Sequence, residues 1–226
     1  TYSRPQCVGP ISVKDLKPLE VDLQNFKDAL SASESTDAFM NAASPGVIAQ
    51  FQPNQHYPDH SSYLYALADA MKVEYEGIAE AGLVIQIDSP DLALGRHVLF
   101  KDQSDEEFVA MAELHIEALN HALQNIPAEQ LRLHVCWGNY QGPHHCDIEM
   151  KKILPAVLKA KPMALSFEGA NPRHSHEWSV FRDVKIPENR VLIPGVLDST
   201  TNFVEHPELV AERICRFADI VGRERV

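Results

Sequence analysis

At 226 residues and 45% hydrophobic content, the chain is long enough to bury one large core. Its formal charge of −12, from 32 acidic against 20 basic side chains, works against a nucleic-acid or acidic-membrane partner and favours a small molecule. No apolar run reaches the roughly 18 to 20 residues of a membrane helix, and the first residues, TYSRPQCVGP, lack a signal peptide's apolar segment, so a cytoplasmic setting is expected.

In chain order, residues 7–12 (CVGPIS) read as a strand end running into a loop at Gly9-Pro10. Leu19, Leu23, Phe26 and Leu30 recur at helical spacing and predict a helix over residues 18–30. Ser44-Pro45-Gly46 then punctuates the approach to residues 47–51, expected as a second strand. A helix capped by Ser61 or Ser62 carries Leu64, Leu67, Met71, Tyr75 and Ile78, and Gly82 is its stop. Residues 83–88 (LVIQID) form an apolar strand closed by a carboxylate, Asp88. Ser104 and Glu107 spell a capping box ahead of Phe108, Met111, His115, Leu119, Ala122 and Ile126.

Residues 131–139 (LRLHVCWGN) alternate apolar and polar, with Leu131, Leu133, Val135 and Trp137 on one face. His134 and Cys136 therefore share the other face, side by side at the carboxyl end of a strand. A helix follows at about residues 147–160, then a strand at 163–168 (MALSFE) closed by Glu168. The last unit is a strand at 191–197 leading to Asp198, with a helix opened by Pro207 that aligns Val210, Ile214, Phe217 and Val221.

Strands joined through helices are parallel, and six such units predict an α/β fold of the (β/α)8 TIM-barrel type. Because a barrel needs eight strands, residues 1–226 are expected to form one barrel domain short of about two, one at each end. Parallel strands place Asp88, His134 with Cys136, Glu168 and Asp198 on one rim, where barrel enzymes keep their chemistry. An imidazole, a thiolate and a carboxylate suit zinc better than magnesium or calcium, and three protein ligands leave one position open. By itself H-x-C on a strand is a weak signal, and buried packing is its commoner explanation. The scattered cysteines 7, 136, 146 and 215 are expected as reduced thiols.

Four stretches, LVIQIDSP, LRLHVCWGN, MALSFEG and IPGVLDS, resemble the catalytic barrel of the cobalamin-independent methionine synthase family in order and spacing, and the likeness runs over nearly the whole chain. The resemblance implies that His134, Cys136 and Glu168 are zinc ligands, the family's fourth ligand being a later cysteine in an Asp-Cys-Gly stretch. Cys215, inside a helix and not at a strand end, is no substitute. It also implies that Asp88 receives the amino group of homocysteine, and that zinc holds a substrate thiol as thiolate for attack on a methyl or other alkyl carbon. Two departures stand out. Ser89 replaces a Glu after that Asp, and Thr200 replaces the His that serves the family as proton donor to a leaving folate. The second weakens the case for methyl-folate as the alkyl donor, makes His174 and His176 the alternative general acids, and brings the chain nearer to the single-barrel, methionine synthase II-like relatives.

Other residues have plainer explanations. His144, His145 and Cys146 suit a surface or rim role, and Trp137 packing behind its strand. Arg173 and Asn171 suit either loop solvation or an anionic substrate group, and Asp198 either orients a ligand or holds its own loop. Two other functions compete: a zinc hydrolase, disfavoured because thiolate ligands dampen the metal's acidity, and a metal-free barrel that binds a small molecule without turnover.

Overall fold

In the computed structural model, which describes residues 4–139 and 142–226, five parallel strands lie side by side in sequence order. They are β1 (Phe39–Ala43), β2 (Val84–Asp88), β3 (Leu131–Val135), β4 (Ala164–Glu168) and β5 (Val191–Gly195). Parallel neighbours need a crossover, and the chain supplies helices for it: α3 (His60–Glu80), α5 (Asp105–Ala122) and α6 (Met150–Val157), with the short α4 (Leu94–Val98) and α7 (Val180–Asp183) at loop level. The helix α1 (Lys17–Ser31) precedes β1, and α8 (Pro207–Val221) follows β5. Sequential parallel strands of this kind are the inner wall of a TIM barrel, and five of its eight strands are present among the described residues.

Two expectations in the first third of the chain are corrected. Residues 47–51 are not a strand but most of a helix, α2 (Pro45–Phe51), and the strand is the preceding segment, β1. The Ser-Pro pair is a helix start and not a turn: the Ser44 hydroxyl accepts the Val47 N–H at 3.0 Å, and Pro45 sits where its missing donor costs nothing. β1, FMNAA, has no β-branched residue to announce it. Residues 7–12 contribute a single bridge between Cys7 and Asn54 and no strand of the sheet, so the described residues hold five strands and not six. The cap of α3 is Asp59, which accepts the Ser62 N–H at 2.7 Å, in place of Ser61 or Ser62. The Ser104–Glu107 capping box and the positive φ of Gly82 are as expected.

Alternation explains which face of the sheet does what. Ile85, Ile87, Leu131, Leu133, Val135, Leu165 and Phe167 are buried beneath the helices, each contributing about 1.5 to 3 kcal/mol. Their neighbours Gln86, Asp88, Arg132, His134, Ser166 and Glu168 are half-buried on the opposite face. Trp137, fully buried, extends the apolar face past β3 and donates its indole N–H to the Ile148 carbonyl at 2.8 Å. No helix among the described residues is long and apolar enough to cross a membrane, and all four cysteines are free.

Arg190, buried just before β5, donates to the carbonyls of Pro162, Leu158 (3.0 Å) and Ala160 (2.9 Å), and so closes the end of α6 against the start of β4. Removing it leaves three carbonyls unpaired. Arg190→Leu is expected to destabilise by about 3 kcal/mol or more in urea denaturation, against about 1 kcal/mol for loss of the exposed cap in Ser104→Ala.

Candidate metal centre

The register of the sheet builds the site. Asp88 of β2 pairs with His134 of β3, which pairs with Ser166 of β4, so these three side chains form one row across adjacent strands. Continued two residues further, the same register brings Cys136 level with Glu168, on the same face and about 6.6 Å along the strands. Together they line a cavity of about 540 Å³ at the carboxyl ends of the strands. Val47, Phe51, Leu94 and Leu197 supply its apolar wall.

Each group has distinct partners. The His134 Nε2 lies 3.9 Å from Asp88 Oδ1. Burial, together with nearby Asp91, raises the Asp88 carboxyl above its ordinary range, and His134 opposes the rise. Burial pushes the Cys136 thiol up to about 11; the Gly138 N–H, 3.2 Å from its sulfur, works against this, and the Glu168 and Asp88 charges add to it. A thiol so placed becomes a thiolate only with a cation beside it. Glu168 is held at both oxygens: Oε1 accepts the Trp137 N–H at 2.9 Å, and Oε2 accepts from Asn171 and lies 3.5 Å from Arg173.

The donor set is therefore right in kind for a zinc-like ion, and the four groups share one cavity. They are neighbours without being closed on a point: among the described residues no three His, Cys, Asp or Glu donors converge closely enough to hold an ion between them. Oε1 of Glu168 accepts a single hydrogen bond, from the Trp137 N–H, and so keeps a lone pair for an ion.

Asp198 lines the cavity and accepts both the N–H (2.9 Å) and the hydroxyl (2.7 Å) of Thr200; burial raises its carboxyl, but these bonds with Arg173 and Arg213 hold it below its ordinary range. Ser89 is fully buried and outside the cavity. His176 is exposed. His174 is buried behind the site under Trp137, ring centroids 4.4 Å apart, with Nδ1 2.7 Å from Glu177 and Nε2 3.2 Å from Asp147. Asp147 also meets His144 at 2.9 Å, and Glu177 accepts the Met150 N–H at 2.6 Å, so this cluster joins the loops after β3 and β4. His145 is exposed and Cys146 half-buried. Sequence reasoning missed the α2 wall, because residues 47–51 read as a strand, and Ser166, which carried no motif.

Residues 44–226 match the sequence model described as cobalamin-independent synthase, catalytic domain. The chain belongs to the cobalamin-independent methionine synthase family. Its relatives in that family include the methionine synthases of Saccharolobus solfataricus, 29% identical over all of this chain and 59% of that protein, and of Sulfurisphaera tokodaii, 27% identical over all of this chain and 57% of that protein. The B12-independent methionine synthase of Shewanella sp. W3-18-1, solved with selenomethionine, superposes with a TM-score of 0.71 at 18% identity over 96% of this chain and 60% of its own, a likeness that establishes the barrel fold. This family member thus spans about three-fifths of the length of those relatives.

Burial works against the charge of His174, but hydrogen bonds to Asp147 and Glu177 and the charges of Glu177 and Glu168 raise it to about 9. A raised histidine stabilises the fold fully below its unfolded value of about 6.5, and the contribution disappears as pH climbs through about 9. Urea midpoints measured from pH 6 to 10 should therefore fall more steeply for the wild type than for His174→Gln, which has no such proton to lose.

Proposed function

We propose that this chain catalyses zinc-dependent transfer of a methyl or other alkyl group to a small thiol such as homocysteine. The observation that carries this reading is the convergence of Asp88, His134, Cys136 and Glu168, from three consecutive strand ends, on one cavity. Family membership and the methionine synthase names of the relatives support it, as does the selenomethionine held by the Shewanella enzyme, a selenium counterpart of a methylated thiol.

His134, Cys136 and Glu168 would hold the ion, which when bound lowers the pKa of an incoming thiol and keeps it as thiolate at neutral pH. Asp88, one strand over from His134, accepts the ammonium of the thiol substrate through a charge-assisted hydrogen bond and so orients it in the row. Val47 and Leu94 present apolar surface to the alkyl carbon from the cavity wall. Asp198 holds Thr200 and its loop at the cavity edge. His174 and His176, off the cavity, are assigned no proton transfer in this reading, and His174 supports the loops. With Thr200 in the proton donor's place, methyl-folate is one candidate donor among alkyl compounds with better leaving groups.

Purified protein is expected to carry about one zinc by elemental analysis, to lose it in Cys136→Ser, and to lose alkyl transfer about 100-fold or more with it. Tight zinc retention in that variant would place the centre elsewhere. Hydrolysis that proceeds without any thiol would replace transfer with the competing chemistry. Asp88→Asn is expected to raise KM for homocysteine about 10- to 100-fold with little change in kcat, as loss of a binding contact made equally in ground and transition states requires.

A further inference from the structure

The two carboxylate oxygens of Glu168 meet different surroundings, and one buried residue accounts for the difference. Asn171, three residues on, is buried where it borders the cavity and uses its two amide atoms in opposite directions. Its Oδ1 accepts the backbone N–H groups of Arg173 and His174, each at 3.0 Å, and so caps the turn after β4. Its Nδ2 is thereby left to donate to Glu168 Oε2. The backbone carbonyl of Asn171 accepts the Ser175 N–H at 2.9 Å, which fixes the main chain of the turn as well.

The amide has one workable orientation. Turned over, its NH2 would face two backbone donors and its oxygen would face a carboxylate. Arg173 adds a positive charge 3.5 Å from the same Oε2, and its Nη2 donates to the Gly138 carbonyl at 3.3 Å, which ties the loops after β3 and β4 together. Oε1 has a different partner, the N–H of Trp137, the residue next to Cys136. Oε2 is thus held by the turn that follows β4, and Oε1 is the oxygen turned to the strand that carries His134 and Cys136.

We propose that Asn171 is a positioning residue that makes Glu168 a one-oxygen ligand, its amide occupying Oε2 so that Oε1 alone is presented to the ion. The ion in this statement rests on the function proposed above. The consequence is the number of contacts the protein makes. His134, Cys136 and one carboxylate oxygen are three, and a tetrahedral ion keeps its fourth position for the sulfur of the thiol. With both oxygens of Glu168 the protein would supply four, and the substrate would find the position filled.

The substitution that isolates this role is Asn171→Ser. A serine hydroxyl can cap the turn in the same way, is too short to reach Glu168, and leaves the charge of the site unchanged. The full chain loaded with cobalt(II) reports ligand number, because the visible ligand-field bands of that ion weaken as coordination rises above four. Zinc affinity is read beside it by competition with a chelating dye. Asn171→Ser is expected to weaken the cobalt bands and to cost about tenfold in zinc affinity. In a Glu168→Gln background the same substitution is expected to leave the bands at full strength, since a side-chain amide has one oxygen to offer. Equal weakening of the bands in both backgrounds overturns the proposal. So does a variant whose urea midpoint falls while its cobalt bands and zinc affinity stay those of the wild type, the result of a purely structural turn. If the wild type itself binds neither metal, the proposed function fails and this inference with it; binding by the wild type with no change in Asn171→Ser overturns this inference alone.

Discussion

The interaction on which the site depends is the parallel pairing of β2, β3 and β4 without a register slip. Side-chain direction alternates along a strand, so a one-residue shift of any member would turn its polar row into the helix-covered core and bring apolar side chains to the cavity. With the observed pairing, Asp88, His134 and Ser166 stand in one row, and Cys136 and Glu168 in the next. The register is itself secured by the buried residues between them, since Ile87, Leu133, Val135 and Phe167 fit beneath the helices only in this alignment. Packing on one face thus determines chemistry on the other.

Two buried charged clusters flank this row and do different work. On one side, His174 lies between Asp147 and Glu177, against Trp137, whose backbone N–H holds Glu168. On the other side, Asp91 and His115 lie under Gly46 and the start of α2. Each takes charge into the interior at a desolvation cost that apolar side chains would avoid, which makes specificity of geometry, more than stability, their contribution. The loops they fix are the ones whose side chains close the cavity.

Much of this was legible in the sequence wherever one signal dominated. The alternation of LRLHVCWGN gave both the strand and the shared face of His134 and Cys136, and the carboxylates at the ends of β2 and β4 followed from apolar runs that stop at Asp88 and Glu168. The start of the sheet was obscured because two local signals conflicted. Val47 and Ile48 favour a strand by side-chain shape, but Ser44 and Pro45 start a helix, and the cap prevailed with help from burial of Val47. The Asp91–His115 contact left little sign in the sequence, since its partners are 24 residues apart and neither belongs to a motif. Its one trace was a histidine on the apolar stripe of α5, a position that asks for a buried partner. Likewise, the commitment of Glu168 to Trp137, Asn171 and Arg173 arises only when two loops meet.

The close approach of Gly46 to Asp91 and His115 leaves the α2 wall with one adjustable end. At its root no side chain of any size fits, so substitutions there are closed to evolution and to the protein engineer alike. At its tip Phe51 is 53% exposed where it borders the cavity, and it can be enlarged, trimmed or made polar without disturbing the interior. Variation in the bulk of the group admitted should accordingly be written at position 51, while position 46 stays glycine.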